Sequence, residues 1–166
     1  QKILNRARSL DALYDKIELI EKSIAEKAYE LNLVKPNVPA ERTGKKVAVI
    51  GSGPSGLAAA DQINQAGHEV TVFEKDKEVG GLLRYGIPDF KLEKWVIDRR
   101  VDVMNEEGVI FSKDTEVGFN IKAENILQNF DAVVLSTGAQ HPRDLKINNR
   151  DAKGVHFAME FLGRQN

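Results

Sequence analysis

A glycine-rich turn carries the clearest chemical signal in this chain of 166 residues. The segment 51–56 reads Gly-Ser-Gly-Pro-Ser-Gly, a spacing typical of backbone that wraps around phosphates. Gly51 allows a tight turn, Gly53 lets backbone approach a pyrophosphate, and Gly56 lets a helix pack closely on a strand. Pro54 lies near the first helical position, where its missing N–H costs nothing. We therefore expect a dinucleotide-binding site here.

A single acidic residue, Glu74, completes this pattern 23 positions after Gly51. A carboxylate at the end of the second strand accepts hydrogen bonds from ribose hydroxyls, and it repels a 2′-phosphate. NADP is therefore disfavoured at this site. FAD and NAD both fit the turn and the acid.

The hydrophobic pattern predicts the elements that position these residues. A β-branched run over 46–50 predicts a buried strand, 57–66 predicts a helix that ends at Gly67, and 70–73 predicts a second strand. Strand, turn, helix and strand within about 30 residues form a βαβ unit, so the two strands should be parallel. The fold class is therefore α/β, with a Rossmann-like domain.

The rest of the chain has weaker signals. The glycine-rich segment 75–92 is expected to be irregular, and a helix is expected over 93–107. Short strands are predicted over 109–112, 115–117 and 132–135, and short helices over 123–130 and 155–162.

A helix is predicted before this domain, over 9–31, with Ser9 as its N-cap. Its apolar residues recur at three- and four-residue steps, so it either packs on its own domain or covers a partner surface. The segment that follows contains Pro36 and Pro39, which cannot continue a helix, so we expect it to be extended. We expect a helical segment over 1–35, a linker over 36–44 and a dinucleotide-binding domain over 45–166.

The composition of the chain argues against several classes of function. The formal net charge is −1, which gives no reason to expect nucleic acid or an anionic membrane as partner. There is no cysteine, and the three histidines are scattered, so no metal or iron–sulfur site is expected within the chain. No apolar run approaches the roughly 20 residues of a membrane span, and no signal peptide is visible. A cytoplasmic protein is expected.

Two later glycine-containing stretches separate FAD from NAD. Gly80-Gly81 follows the acid, and Thr137-Gly138 follows the apolar run 132–135. Both resemble stretches of FAD-binding reductases in which backbone lies against the cofactor, so FAD is favoured.

The chain as a whole resembles the small (beta) subunit of NADPH-dependent glutamate synthase and its FAD-linked reductase relatives. The resemblance rests on the segments 42–54, 67–74, 80–88, 91–92, 98–101, 107–109, 130–139, 142–145 and 156–162. It implies that NADPH reduces FAD, that FAD passes electrons to iron–sulfur centres, and that a large glutamate synthase subunit uses them to make glutamate.

The resemblance also implies the cofactor contacts. The expected FAD-binding residues are Gly51, Gly53, Pro54, Ser55, Gly56, Glu74, Lys75, Gly81, Leu82, Lys91, Val117, Thr137 and Gly138. Val117 would meet the adenine through its backbone, and Lys91 matches a basic position of dihydropyrimidine dehydrogenase, unless it is simply solvated. Arg84 and Arg143 are either phosphate ligands or solvated surface. No catalytic side chain is expected, because flavin chemistry belongs to the cofactor.

Departures from the family limit this interpretation. The family's cysteine-rich amino-terminal region and its NADPH-binding domain have no counterpart, so the chain is expected to correspond to the first half of the flavin domain, with an incomplete parallel sheet. Three alternatives stay open: a dinucleotide-binding module without independent catalysis, the FAD domain of a dihydropyrimidine dehydrogenase-like reductase, and an NAD-binding dehydrogenase domain.

Overall fold

A computed structural model of the chain describes residues 2–139 and 141–166, with side chains described from Lys16 onward. It divides into two compact units, Gln1–Lys35 and Pro36–Asn166. The elements are α1 (Lys2–Glu30), β1 (Lys46–Ile50), α2 (Pro54–Gln65), β2 (Glu69–Phe73), α3 (Leu82–Tyr85), α4 (Lys94–Glu106), β3 (Ile110–Ser112), α5 (Ala123–Asn129), β4 (Ala132–Leu135) and α6 (Ala158–Gln165).

The first unit is a single long helix. Helix α1 begins at Lys2, so the prediction that Ser9 caps its start is wrong. Nothing between Lys2 and Ser9 breaks a helix, since this stretch contains neither proline nor glycine. Along the part with described side chains, the predicted apolar stripe is exposed, including Ile20 and Ile24.

The second unit is built on a four-stranded parallel sheet in the order β3-β2-β1-β4, which confirms the α/β prediction. Strand β1 is central: Val47 is opposite Val70 on β2 and opposite Ala132 on β4. The predicted strands 46–50 and 132–135 keep their bounds.

Alternation along β1 divides the core between the two faces of the sheet. Val49 packs in a buried cluster with Ala60 of α2 and Met104 of α4. Ala48, on the opposite face, packs with Phe73 and Ile126 of α5. Helices therefore cover both faces, as a buried parallel sheet requires.

Several local predictions were wrong or shifted. Helix α2 begins at Pro54, three residues earlier than predicted. Residues 115–117 form no strand: Val117 makes one isolated bridge to Ile121, and a turn follows over 118–120, where three successive N–H groups donate to the Glu116 carbonyl. Segment 75–92, expected to be irregular, contains α3. Helix α6 begins at Ala158, three residues later than predicted, because Phe157 is extended.

Arg42 binds the segment 36–44 to the rest of the second unit. One guanidinium nitrogen donates to Asn64 Oδ1 at 2.7 Å and to the His68 carbonyl at 2.9 Å, and the other donates to the Glu107 carbonyl at 2.9 Å. Asn64 is fully buried and donates from Nδ2 to the same Glu107 carbonyl at 3.1 Å. The ends of α2 and α4 are thus joined by a buried polar network.

We expect Asn64→Ala to lower the free energy of unfolding by about 2 kcal/mol, because it removes a partner of the Arg42 guanidinium and of the carbonyl of the buried Glu107. Urea denaturation measures the change. Asn125→Ala, at an exposed position of α5, is the matched control and should change stability by less than about 0.5 kcal/mol. Equal losses in both variants would contradict the role of the network.

Asp131 joins the amino-terminal ends of β1 and β4. Its carboxylate accepts from Lys45 Nζ at 2.8 Å and from the Lys46 N–H at 2.8 Å. The hydrogen bond from Lys45, followed by that from the Lys46 backbone, lowers the pKa of Asp131 from its ordinary value. Its contribution to stability is therefore complete above the unfolded-state pKa and is lost as pH falls through the lower folded-state pKa.

We expect Asp131→Asn to be less stable than the wild type at pH 7, and the difference to shrink as pH falls below the ordinary carboxyl pKa of about 3.9. Denaturant titrations across the acid range measure it. Asp151→Asn, in an exposed turn, is the control. A difference that stayed constant with pH would contradict the assignment.

Candidate dinucleotide site

A cleft of about 500 Å³ lies at the carboxyl ends of β1, β2 and β4. Ligands of open α/β sheets bind at this edge. Eleven of the thirteen predicted cofactor residues line it: Gly51, Gly53, Pro54, Ser55, Glu74, Lys75, Gly81, Leu82, Val117, Thr137 and Gly138.

The turn after β1 is held by backbone on both sides. The Gly51 N–H donates to the Phe73 carbonyl at 2.8 Å, and the Ser136 N–H donates to the Ile50 carbonyl at 2.8 Å. Gly51 has φ +100°, and a Cβ there would lie 2.5 Å from the Ser136 carbonyl oxygen. A residue with a side chain therefore cannot replace it.

Gly56 lies outside the lining of the cleft, and its glycine identity has a packing cause. A Cβ on Gly56 would lie 1.9 Å from the carbonyl oxygen of Gly51. The first turn of α2 can approach β1 only because that Cβ is absent.

Gly53 differs from the other two glycines of the motif, Gly51 and Gly56. Its backbone, φ −64° and ψ −179°, is one that any residue adopts, and a Cβ would meet no protein atom within 4 Å. Neither conformation nor packing within the chain requires glycine at this position. Open space beside it in the cleft is what a close-lying pyrophosphate needs, so the residues fit a dinucleotide.

A second glycine turn closes on the first. Gly81 has φ +52°, and a Cβ there would lie 2.9 Å from the Cα of Gly53. The Gly80 N–H donates to Ser52 Oγ at 3.0 Å. The two turns predicted separately to contact a cofactor therefore lie in contact with each other.

Glu74 is buried, 4% exposed, at the end of β2. Its Oε2 accepts from the Ser52 N–H at 3.0 Å and from the Ser52 hydroxyl, and its Oε1 accepts from the Asp76 N–H at 2.9 Å. The carboxylate is thus held by three donors at the edge of the cleft.

The remaining predicted residues have different environments. Lys75 pairs with Asp76 at 2.8 Å, and this hydrogen bond raises the pKa of Lys75. Leu82 is exposed at the cleft, and Gly138 adopts φ +65° there. Lys91 is exposed and lies outside the lining.

Arg84 is not solvated surface, one of the two predicted alternatives. Its side chain is 13% exposed, and it donates to the Val79 carbonyl at 2.7 Å and to the Asp98 carboxylate. Arg143 is exposed. Arg84 therefore braces the second glycine turn.

Sequence reasoning missed several lining residues, of which Ser52 and Tyr85 are the most informative. Ser52 is fully buried beneath the turn, a position that the glycine spacing alone does not distinguish. The Tyr85 hydroxyl accepts from the Glu78 N–H at 3.1 Å. The others are Ile50, Phe73, Asp76, Thr115, Glu116, Ser136, Met159 and Gly163.

Comparison with known proteins agrees with this geometry. Residues 49–105 match the model of the NAD(P)-binding Rossmann-like domain. The chain is 54% identical over 146 residues to the glutamate synthase [NADPH] small chain of Bacillus subtilis, covering 88% of this chain and 30% of that one. It is 52% identical over 148 residues to the glutamate synthase [NADH] of Schizosaccharomyces pombe, covering 88% of this chain and 7% of that one.

A solved structure shares the fold. FprA from Mycobacterium tuberculosis, in complex with NADPH, superposes with a TM-score of 0.65 at 26% identity, over 72% of this chain and 28% of that one. The chain spans about 30% of the length of the glutamate synthase small chain that it matches. Over that length, the chain is a homologue of the glutamate synthase small chain, with a Rossmann-like nucleotide-binding domain.

Proposed function

We propose that the chain is the FAD-binding part of an NADPH-dependent oxidoreductase of the glutamate synthase small-chain type. Gly53 carries this proposal, because neither its backbone conformation nor packing within the chain accounts for glycine there. A diphosphate lying against the turn does account for it.

The proposed pyrophosphate contacts are Gly51, Gly53, Pro54, Ser55 and Gly56. Gly53 precedes α2 without a side-chain cap, and the first turn of α2 contains no acidic residue. The amino-terminal N–H groups and the positive end of the helix dipole are therefore available to an anion. Gly56 contributes by bringing α2 close to β1.

The adenosine half of FAD is proposed to lie toward β2. Glu74 accepts a ribose hydroxyl, Lys75 lies beside it, and Val117 offers backbone to the adenine. Asp76 and Glu116 add carboxylates to this part of the lining, which disfavours a 2′-phosphate. The NADPH that reduces the flavin is therefore assigned to another site of the parent protein.

We prefer FAD to NAD because of the turn at Gly80-Gly81 and the turn at Thr137-Gly138. Gly81 lies against Gly53, and Thr137 and Gly138 line the same cleft from the end of β4. Bound FAD supplies acceptance of hydride and delivery of single electrons. The protein residues bind and orient it. Lys91, outside the lining, remains a proposed contact from the resemblance alone.

The electron route beyond the flavin rests on the relatives. NADPH as donor, iron–sulfur centres as acceptors, a large glutamate synthase subunit as partner and a cytoplasmic location are proposed from the resemblance to glutamate synthase small chains. Among the described residues, no helix is both long enough and apolar enough to cross a membrane.

A binding module without independent catalysis is the second candidate for this chain alone. The described lining of the cleft contains no histidine, and Glu74 already accepts three hydrogen bonds. Flavin chemistry, moreover, belongs to the cofactor and not to the side chains around it. On this candidate the chain binds the dinucleotide and leaves redox chemistry to the complete protein.

Titration of the chain with FAD tests the function. We expect flavin fluorescence to change on binding, excess ADP to displace FAD, and NADH not to compete at equal concentration. NADPH should leave the bound flavin oxidised, while dithionite bleaches it. Bleaching by NADPH would exclude the inert-module candidate, and uptake of NADH without FAD would favour the dehydrogenase alternative.

We expect Gly53→Ala to weaken FAD binding at least tenfold while stability changes by less than about 1 kcal/mol, because the new Cβ enters the cleft without meeting protein. Gly56→Ala, the same chemical change three residues later, should instead lower the free energy of unfolding by at least about 2 kcal/mol. Calorimetric titration and urea denaturation separate the two effects. Unchanged FAD affinity in Gly53→Ala would contradict the assigned site.

A further inference from the structure

A buried relay of hydrogen bonds links the two glycine turns to the acid. Ser52 is fully buried and Glu74 is 4% exposed, so neither is a surface group. The Gly80 N–H donates to Ser52 Oγ at 3.0 Å, and Ser52 Oγ is bonded to Glu74 Oε2. The relay therefore runs from one turn, through the other, into the carboxylate.

The chemistry of the donors fixes the direction of this relay. A backbone N–H can only donate, so Ser52 Oγ accepts the bond from Gly80. The single hydroxyl hydrogen of Ser52 is then left for Glu74, whose oxygens accept. The two hydrogen bonds therefore point the same way, from Gly80 through Ser52 to Glu74, and in such a series each bond strengthens the other.

The number of acceptor sites on Glu74 shows which oxygen can still accept a hydrogen bond. An ionised carboxylate has about four lone-pair sites, two on each oxygen. Oε2 accepts from both the N–H and the hydroxyl of Ser52, which fills it, whereas Oε1 accepts only from the Asp76 N–H. One site is left, and it belongs to Oε1.

We propose that Ser52 is a positioning residue that orients Glu74 so that Oε1 alone accepts a single hydroxyl of the adenosine sugar. This rests on the proposed function, since it concerns the same site. The Ser52 side chain is fully buried, so its hydroxyl acts on the sugar through Glu74. The consequence is selectivity between the two sugar hydroxyls, which a carboxylate with both oxygens free would not have.

The test compares ADP with 2′-deoxy-ADP and 3′-deoxy-ADP by isothermal titration calorimetry of the 166-residue chain. For the wild type we expect one deoxy analogue to bind about tenfold more weakly than ADP, because it loses a hydrogen bond to a charged group. The other analogue should bind within about twofold of ADP. Equal weakening of both analogues would overturn the proposal.

Ser52→Ala should lower the tenfold ratio to below about threefold, because the hydroxyl no longer fills an acceptor site of Oε2, which is then free to accept the other sugar hydroxyl. Ser55→Ala is the matched control, a serine of the same turn that is exposed. Any loss of a phosphate contact there should weaken ADP and its analogues by the same factor, so the tenfold ratio should persist. A merely structural role of Ser52 would also weaken all three ligands equally, and that result would refute positioning.

Ser52→Cys provides the same test if the alanine variant does not fold. A thiol is a weaker donor, so the ratio should fall between those of the wild type and a chain without the donor. An unchanged tenfold ratio in a folded Ser52→Cys protein would count against the relay. Failure of the wild type to bind ADP or FAD is a different result, because it would overturn the proposed function itself.

Discussion

The approach of backbone to backbone around Gly51 is the constraint on which the rest of the second unit depends. The site where a Gly51 Cβ would lie is 2.5 Å from the Ser136 carbonyl oxygen, and the Gly51 carbonyl lies 1.9 Å from the corresponding site on Gly56. Three segments thus converge where no side chain fits: the end of β1, the start of α2 and the end of β4. This convergence places the carboxyl ends of the strands and the helix amino terminus around one cleft.

The parts of the structure that follow from local pattern could be predicted. Lys46–Ile50 is a β-branched run because it is the central strand, buried on both faces. Helix α2 ends at Gln65 with Ala66 as its C-cap, one residue before the predicted cap Gly67, which has φ +91°. By contrast, residues 115–117 have the composition of a strand but lead into a turn over 118–120, because the N–H groups of that turn bond to the Glu116 carbonyl and outweigh a weak strand preference.

The parts that depend on contacts between distant residues could not be predicted. Ser52 meets Glu74 and Gly80 only after the βαβ unit has formed, and its sequence position resembles any small residue within a glycine turn. Arg84 was ambiguous for the same reason, because its partner Asp98 lies on α4. The glycines were easier because the spacing of their motif reports both turn conformation and phosphate approach.

The glycines of this one motif nevertheless have two different causes, packing within the chain and the approach of a ligand. Gly51 and Gly56 are required by the folded chain itself, since a Cβ on either would collide with backbone. Neither the backbone conformation of Gly53 nor its packing within the chain requires glycine, and the proposed diphosphate would account for the absent side chain. The proposed site divides the acid in the same way: Ser52 and Asp76 use three of the acceptor sites of Glu74 to hold it in place, and the remaining site is the one proposed to bind the sugar. If the proposal holds, the site gains its specificity because nearly all acceptor sites of the acid are used within the protein and one is left for the ligand.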